Sequence, residues 1–111
     1  MKVVHYQDVP LEEVKEKQAK NMKVRWLIKK EEAPNFAMRL FEIAPGGYSP
    51  FHRHPEEHEV FVIEGKGMVE INGEKKDFSR GWVIYVPPEA PHYFKNTGDE
   101  ILKFLCLIPK L

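Results

Sequence analysis

Residues 51 to 65 read FHRHPEEHEVFVIEG and gather three of the chain's five histidines, His52, His54 and His58, with four glutamates. Neutral imidazoles at this density suit a transition metal. Zinc, manganese, iron, nickel and copper all accept them, so ligand type alone does not choose the ion. His52 and His54 are two apart on what reads as one strand, so both rings point to the same face, about 7 Å apart along the backbone. After the turn PEE the next strand opens with His58 and Glu59. Successive strand residues face opposite sides, so only one of these two can look toward the first pair. A solvated polar loop with incidental histidines is the plainer alternative for this cluster by itself. His92 lies in a second apolar stretch, GWVIYVPPEAPHYFKN, and adds a fourth imidazole. His5 lies outside both stretches and reads as a surface residue.

The elements that must position these rings are short strands. From residue 23 onward, apolar runs rich in Val, Ile, Phe and Tyr alternate with turn residues, which predicts strands near KVRWLIKK, FAMRLFEI, GYSPFHRH, HEVFVIEG, GMVEING, KKDFS, WVIYVP, HYFKN and ILKFLCLI. Asn72-Gly73 marks a two-residue hairpin. EEAPN, APGG, PPEAP and NTGDE read as turns. Only PLEEVKEKQAK looks helical, with Pro10 suited to a first turn, and it reads equally well as an extended arm. Regularly spaced short strands predict an all-β antiparallel sandwich or barrel, the jelly roll among them, in one domain over residues 1–111, with residues 1–22 as an arm or short helix.

Composition sets the outer limits. A chain of 111 residues buries roughly two-thirds of the surface its unfolded form exposes, so no metal or disulfide is needed merely to fold it. Lys plus Arg and Asp plus Glu are both 17, and this balance lacks the positive field of a nucleic-acid binder. Cys106 is the single cysteine and has no internal partner. The apolar run in MKVVHYQDVP is too short for a signal peptide, and no stretch approaches a membrane span, so a cytoplasmic protein is expected. VFVI and VIYV are apolar on both faces. One face can line a barrel while the other needs cover, which predicts a homodimer held by a strand face or by the segment before residue 23.

Gly46, five residues, His52-x-His54, then Gly65 after VFVIE form one pattern; Gly81, five residues, Pro87, His92 and Asn96 form a second. Together they resemble the paired motifs of the cupin superfamily over about residues 46–96. The resemblance implies a double-stranded β-helix (jelly-roll) barrel with one internal metal, held by His52, His54, the position filled by His58, and His92. Six residues separate His58 from Gly65, the spacing of the family's third ligand, whereas Glu59 leaves five. Histidine there in place of the customary glutamate makes the site similar to the four-histidine cupins, many of them thermophilic and manganese-bound. Manganese is therefore the expected ion, with Fe, Ni, Zn or Cu as alternatives. Glu89 stands where the family often has glycine, which bears on the local turn.

Four neutral imidazoles leave the full 2+ charge of the ion uncompensated, which favours a small anionic ligand. Val60, Phe94 and Phe104 are expected to line the pocket. Arg39 and Cys106 are the candidates for catalytic roles. Arg39 sits between Ala37 and Phe41 on one strand face and can hold a carboxylate bidentately, or else form a rim salt bridge. Cys106 reads as inert core or as an oxidisable neighbour of a redox metal. Two classes of function follow: an oxygenase (dioxygenase-type oxidoreductase) acting on a small enol, diketone or unsaturated substrate, and a noncatalytic cupin that binds a small molecule or metal. Sugar-phosphate isomerisation is weaker, because no basic cluster near the motifs marks a phosphate site.

Overall fold

The computed structural model describes all 111 residues, and its architecture is almost entirely β. A single 3-10 turn, Tyr6–Asp8, precedes nine strands: β1 (Glu12–Glu13), β2 (Lys20–Ile28), β3 (Phe36–Tyr48), β4 (His58–Glu64), β5 (Lys66–Ile71), β6 (Glu74–Ser79), β7 (Val83–Val86), β8 (His92–Asn96) and β9 (Leu102–Pro109). All pairings are antiparallel, in the order β6-β5-β8-β3-β9-β4-β7, with β2 on the other edge of β3 and β1 on β2. No helix is long and apolar enough to cross a membrane.

The sheet closes on itself because a few strands change partners partway along. The first half of β3 runs between β2 and β9, while its last residue, Tyr48, pairs with Lys95 of β8. Between these halves Gly46 sits at φ +79, and a Cβ on Gly47 would meet the Lys20 carbonyl at 2.5 Å, so the chain can bend there and be crossed closely. Gly65 makes the corresponding corner between β4 and β5. Inside the curl, alternate residues of every long strand form one buried cluster, which includes Ile43, Val62, Leu102 and Phe104.

The hairpin at Asn72-Gly73 forms as expected, both residues at positive φ, with Ile71 opposite Glu74. Of the two readings of PLEEVKEKQAK the extended arm is the one observed: Glu12 and Glu13 pair with Val24 and Lys23, and the segment has too few apolar residues for a helical stripe. Two expectations need correction. β2 begins at Lys20, earlier than the apolar pattern suggests. GYSPFHRH is not a continuous strand; β3 ends at Tyr48, and Pro50 and Pro55 lack the N–H groups a ladder needs.

Candidate metal centre and its cavity

Backbone pairing brings the four histidines of the two motifs together. His58 opens β4 and His92 opens β8. His52 stands outside any strand but forms an isolated bridge with His92, each amide donating to the other's carbonyl at 3.2 and 3.0 Å. The His54 carbonyl accepts from the Glu89 amide at 2.6 Å. Glu89 lies at φ 62, so the turn that glycine often makes is made here by a glutamate.

Ring centroids lie 4.0 Å apart for His52 and His54, 5.3 Å for His54 and His58, and 5.0 Å for His58 and His92. The ligand atoms of His52, His54 and His92 all fall within 4.8 Å of one another, and the Nε2 atoms of His52 and His54 are 2.9 Å apart. Two ligands held at about 2.1 Å from one ion at a right angle would be about 3 Å apart, so the nitrogens fit a transition metal. The His92 Nδ1–H donates to the Ala90 carbonyl at 2.9 Å, which leaves Nε2 as the basic nitrogen of that ring. Burial lowers the pKa of all four histidines. His58 falls to about 3 through burial first, then the Arg39 guanidinium and the other rings. Neutral imidazole is the form a metal requires.

Strand parity separates His58 from Glu59 as expected. His58, Val60 and Val62 are buried on the inner face, whereas Glu59 and Phe61 are exposed. The His58 Nδ1 lies 3.6 Å from the Cys106 Sγ and 3.5 Å from an Arg39 nitrogen. Arg39, Cys106 and His58 thus form one group, set on adjacent strands by the pairings Arg39 with Cys106 and Val60 with Cys106. Burial raises the Cys106 thiol pKa, against the pull of Arg39, so the sulfur is a neutral thiol. Arg39 makes none of the seven ion pairs of the chain, which removes the rim salt bridge.

The histidines form one wall of a cavity of about 500 Å³, which Arg39, Phe94, Phe104 and Cys106 also line. Val60 faces the interior but lies in the core, not on the cavity wall. Sequence reasoning missed the opposite wall, Met22, Val24 and Trp26 of β2 with Phe41 of β3, although their alternation was a usable signal. It also missed the mouth, where Val14, Lys15 and Glu16 of the arm reach the opening and the Glu16 carboxylate lies 3.8 Å from the His52 Nδ1. No local pattern marks Glu16.

A nine-stranded antiparallel curl with histidines converging inside it defines a cupin. Residues 39–108 match the family described as Cupin domain, more than half of the chain, and the protein belongs to that family. Its structure is similar to that of the polyketide cyclase RemF from Streptomyces resistomycificus, with a TM-score of 0.90 and 35% identity over 98% of this chain and 79% of that one. Among curated relatives it is 33% identical over 86 residues to the oxalate-binding protein of Thermotoga maritima, covering 74% of this chain and 70% of that protein. It is 31% identical over 71 residues to 1-methylthio-D-xylulose 5-phosphate methylsulfurylase of Rhodospirillum rubrum, covering 64% and 46%. A gentisate 1,2-dioxygenase from Ralstonia matches at 31% over 67 residues, 60% of this chain and 19% of that enzyme. The chain spans half or less of the length of several curated relatives.

Proposed function

We propose that this cupin holds one divalent transition metal, preferably manganese, on His52, His54, His58 and His92 and works as an oxygenase on a small enol, diketone or unsaturated substrate. The observation that carries this reading is the convergence of the ligand atoms of His52, His54 and His92, with the His58 ring 5.0 Å from that of His92, on the wall of a largely apolar cavity. A redox-capable ion held there would supply Lewis acidity toward a substrate oxygen and a path for oxygen chemistry. In a dioxygenation both atoms of O2 enter the product, so no external reductant is required. The chain's own part is to orient and to exclude water. Ala90 fixes the His92 tautomer, Cys106 stands as an acceptor for a His58 Nδ1–H, and the side chains of Phe94 and Phe104 keep the inner end apolar. The gentisate dioxygenase relative supports this class of reaction. The test is elemental analysis and electron paramagnetic resonance of protein purified without added metal, followed by oxygen-electrode assays on a panel of enols and diketones. About one metal per chain with substrate-dependent oxygen uptake is expected. Bound metal without uptake across the panel would favour the second reading, a noncatalytic cupin that binds a small anion, to which the likeness to an oxalate-binding protein lends support.

We further propose a homodimer through the outer face of β4, β7 and β9. Phe61, Val83 and Tyr85 are exposed there beside Leu105 and Leu107, while the N-terminal arm is already engaged by its own barrel through Val9, Glu12 and Glu13. A second copy of the same face would cover this strip, and a stable dimer needs about 1,200 Å² or more of buried surface. Light scattering at micromolar concentration should give twice the chain mass, and Phe61→Lys should give the monomer.

A further inference from the structure

The Arg39 guanidinium stands inside the cavity with most of its hydrogen-bonding capacity unused. Its carbon lies 4.8 Å from the Phe41 ring centroid and 5.5 Å from that of Trp26, contacts that stabilise the charge without neutralising it. Of its five N–H groups, one donates to the Cys106 Sγ at 3.1 Å; the same nitrogen lies 3.5 Å from the His58 Nδ1, and the buried Nε has no partner. No carboxylate pairs with it, and the one acidic residue on the cavity wall, Glu16, stands at the mouth beside His52. Arg39 is half-buried with its Nε fully enclosed, and a guanidinium so placed without a counter-charge is costly; the partner that suits its planar fork is a carboxylate.

The rest of the cavity says what that carboxylate is attached to. Met22, Val24, Trp26 and Phe41 present an apolar wall, and the space of about 500 Å³ equals the share of roughly 16 water molecules in the liquid. A two-carbon dianion would leave most of it wet and the apolar wall untouched. A phosphate beside Arg39 would call for further basic side chains around it, and the one other on the wall, Lys15, is exposed at the mouth. Resting on the metal site proposed above, we propose that the ligand is an amphipathic organic carboxylate. Its anionic end is held by Arg39, and a ring-sized apolar body lies against Met22, Val24 and Trp26.

The chain has two tryptophans, and Trp82 is exposed, away from the cavity wall, so Trp82→Phe makes Trp26 the sole reporter at the cavity. In that background, metal-loaded protein is titrated with 3-phenylpropanoate, its neutral isostere 3-phenylpropanamide, propanoate and oxalate, following Trp26 fluorescence. We expect 3-phenylpropanoate to bind about tenfold or more tighter than either propanoate or oxalate, because only it covers the apolar wall. Arg39→Gln should weaken 3-phenylpropanoate about tenfold or more and leave the amide unchanged, with Arg39→Lys between the two. Oxalate binding as tightly as 3-phenylpropanoate, or an Arg39→Gln protein that binds the two phenyl probes as wild type does, would overturn the proposal. If Arg39→Gln does not fold, the acid-to-amide affinity ratio in wild type and Arg39→Lys decides. A ratio near one overturns the proposal, and a ratio of about ten or more that shrinks in Arg39→Lys supports it. Metal content measured on the same samples tests the metal site separately, since dependence of the acid on Arg39 is also read in chelator-treated protein.

Discussion

His58 and Glu59 are adjacent, yet they end on opposite sides of the barrel wall, and this one-residue difference carries the chemistry of the site. His58→Glu should still bind about one metal per chain, because a carboxylate on the inner face restores three imidazoles and one oxygen donor, but it should weaken anion binding by removing one unit of positive charge. Glu59→Gln should change neither quantity, since its side chain is on the outer face opposite Tyr85. Elemental analysis and anion titration of both variants check this. Loss of metal in Glu59→Gln with retention in His58→Ala would reverse the assignment. The inward placement of His58 was legible in the sequence because parity along a strand is local and strict. The free guanidinium of Arg39 was legible only in part: its face could be read from Ala37 and Phe41, but the absence of any carboxylate partner depends on which strands lie beside it.

At the scale of elements, a buried side chain ties the corner after β8. Asn96 ends β8 with a side chain that is 2% exposed; its Nδ2 donates to the carbonyls of Ile43 at 2.7 Å and Glu100 at 2.8 Å, and its Oδ1 accepts from the Gly98 amide at 2.8 Å. Its three partners, one in β3 and two in the turn that leads to β9, tie the end of β8 to both. Asn96→Ala leaves buried carbonyls and an amide without partners and should cost about 3 kcal/mol, read as a lower denaturant midpoint with metal binding retained in the folded fraction. Glu89 tests a corner in another way. Its positive φ is tolerable for glutamate but a poor fit for a β-branched residue, so Glu89→Val should destabilise by about 1–2 kcal/mol in thermal melts, and Glu89→Gly should not. β4 through β9 were visible in the sequence because each is an apolar alternation bounded by turn residues. β2 was read too short, and the arm was left between helix and extended chain, because Glu12, Glu13 and Lys20 owe their strand geometry to distant partners and not to any pattern of their own.

For the whole molecule, two buried and two half-buried imidazoles make the metal-free protein sensitive to acid. The folded pKa of His58, about 3, lies below its unfolded value of 6.5, and the other three shift the same way. Between these limits the unfolded chain binds more protons than the folded one. The stability is therefore complete above 6.5 and is lost as pH falls toward 3. Melting temperatures of chelator-treated protein should decline from about pH 7 to pH 4, and His58→Gln should flatten the decline; a flat wild-type profile would contradict the burial of neutral rings. The mouth of the cavity sets a different kind of boundary. Val14, Lys15 and Glu16 come from an arm tied to the barrel by the two residues of β1 and the Val14 amide, whereas every histidine of the centre comes from residues 52–92. Door and hearth are thus written in separate stretches of the gene. Changes confined to a dozen or so codons before residue 20 can redraw the entrance, and with it which molecules are admitted, while the histidine cluster is inherited intact.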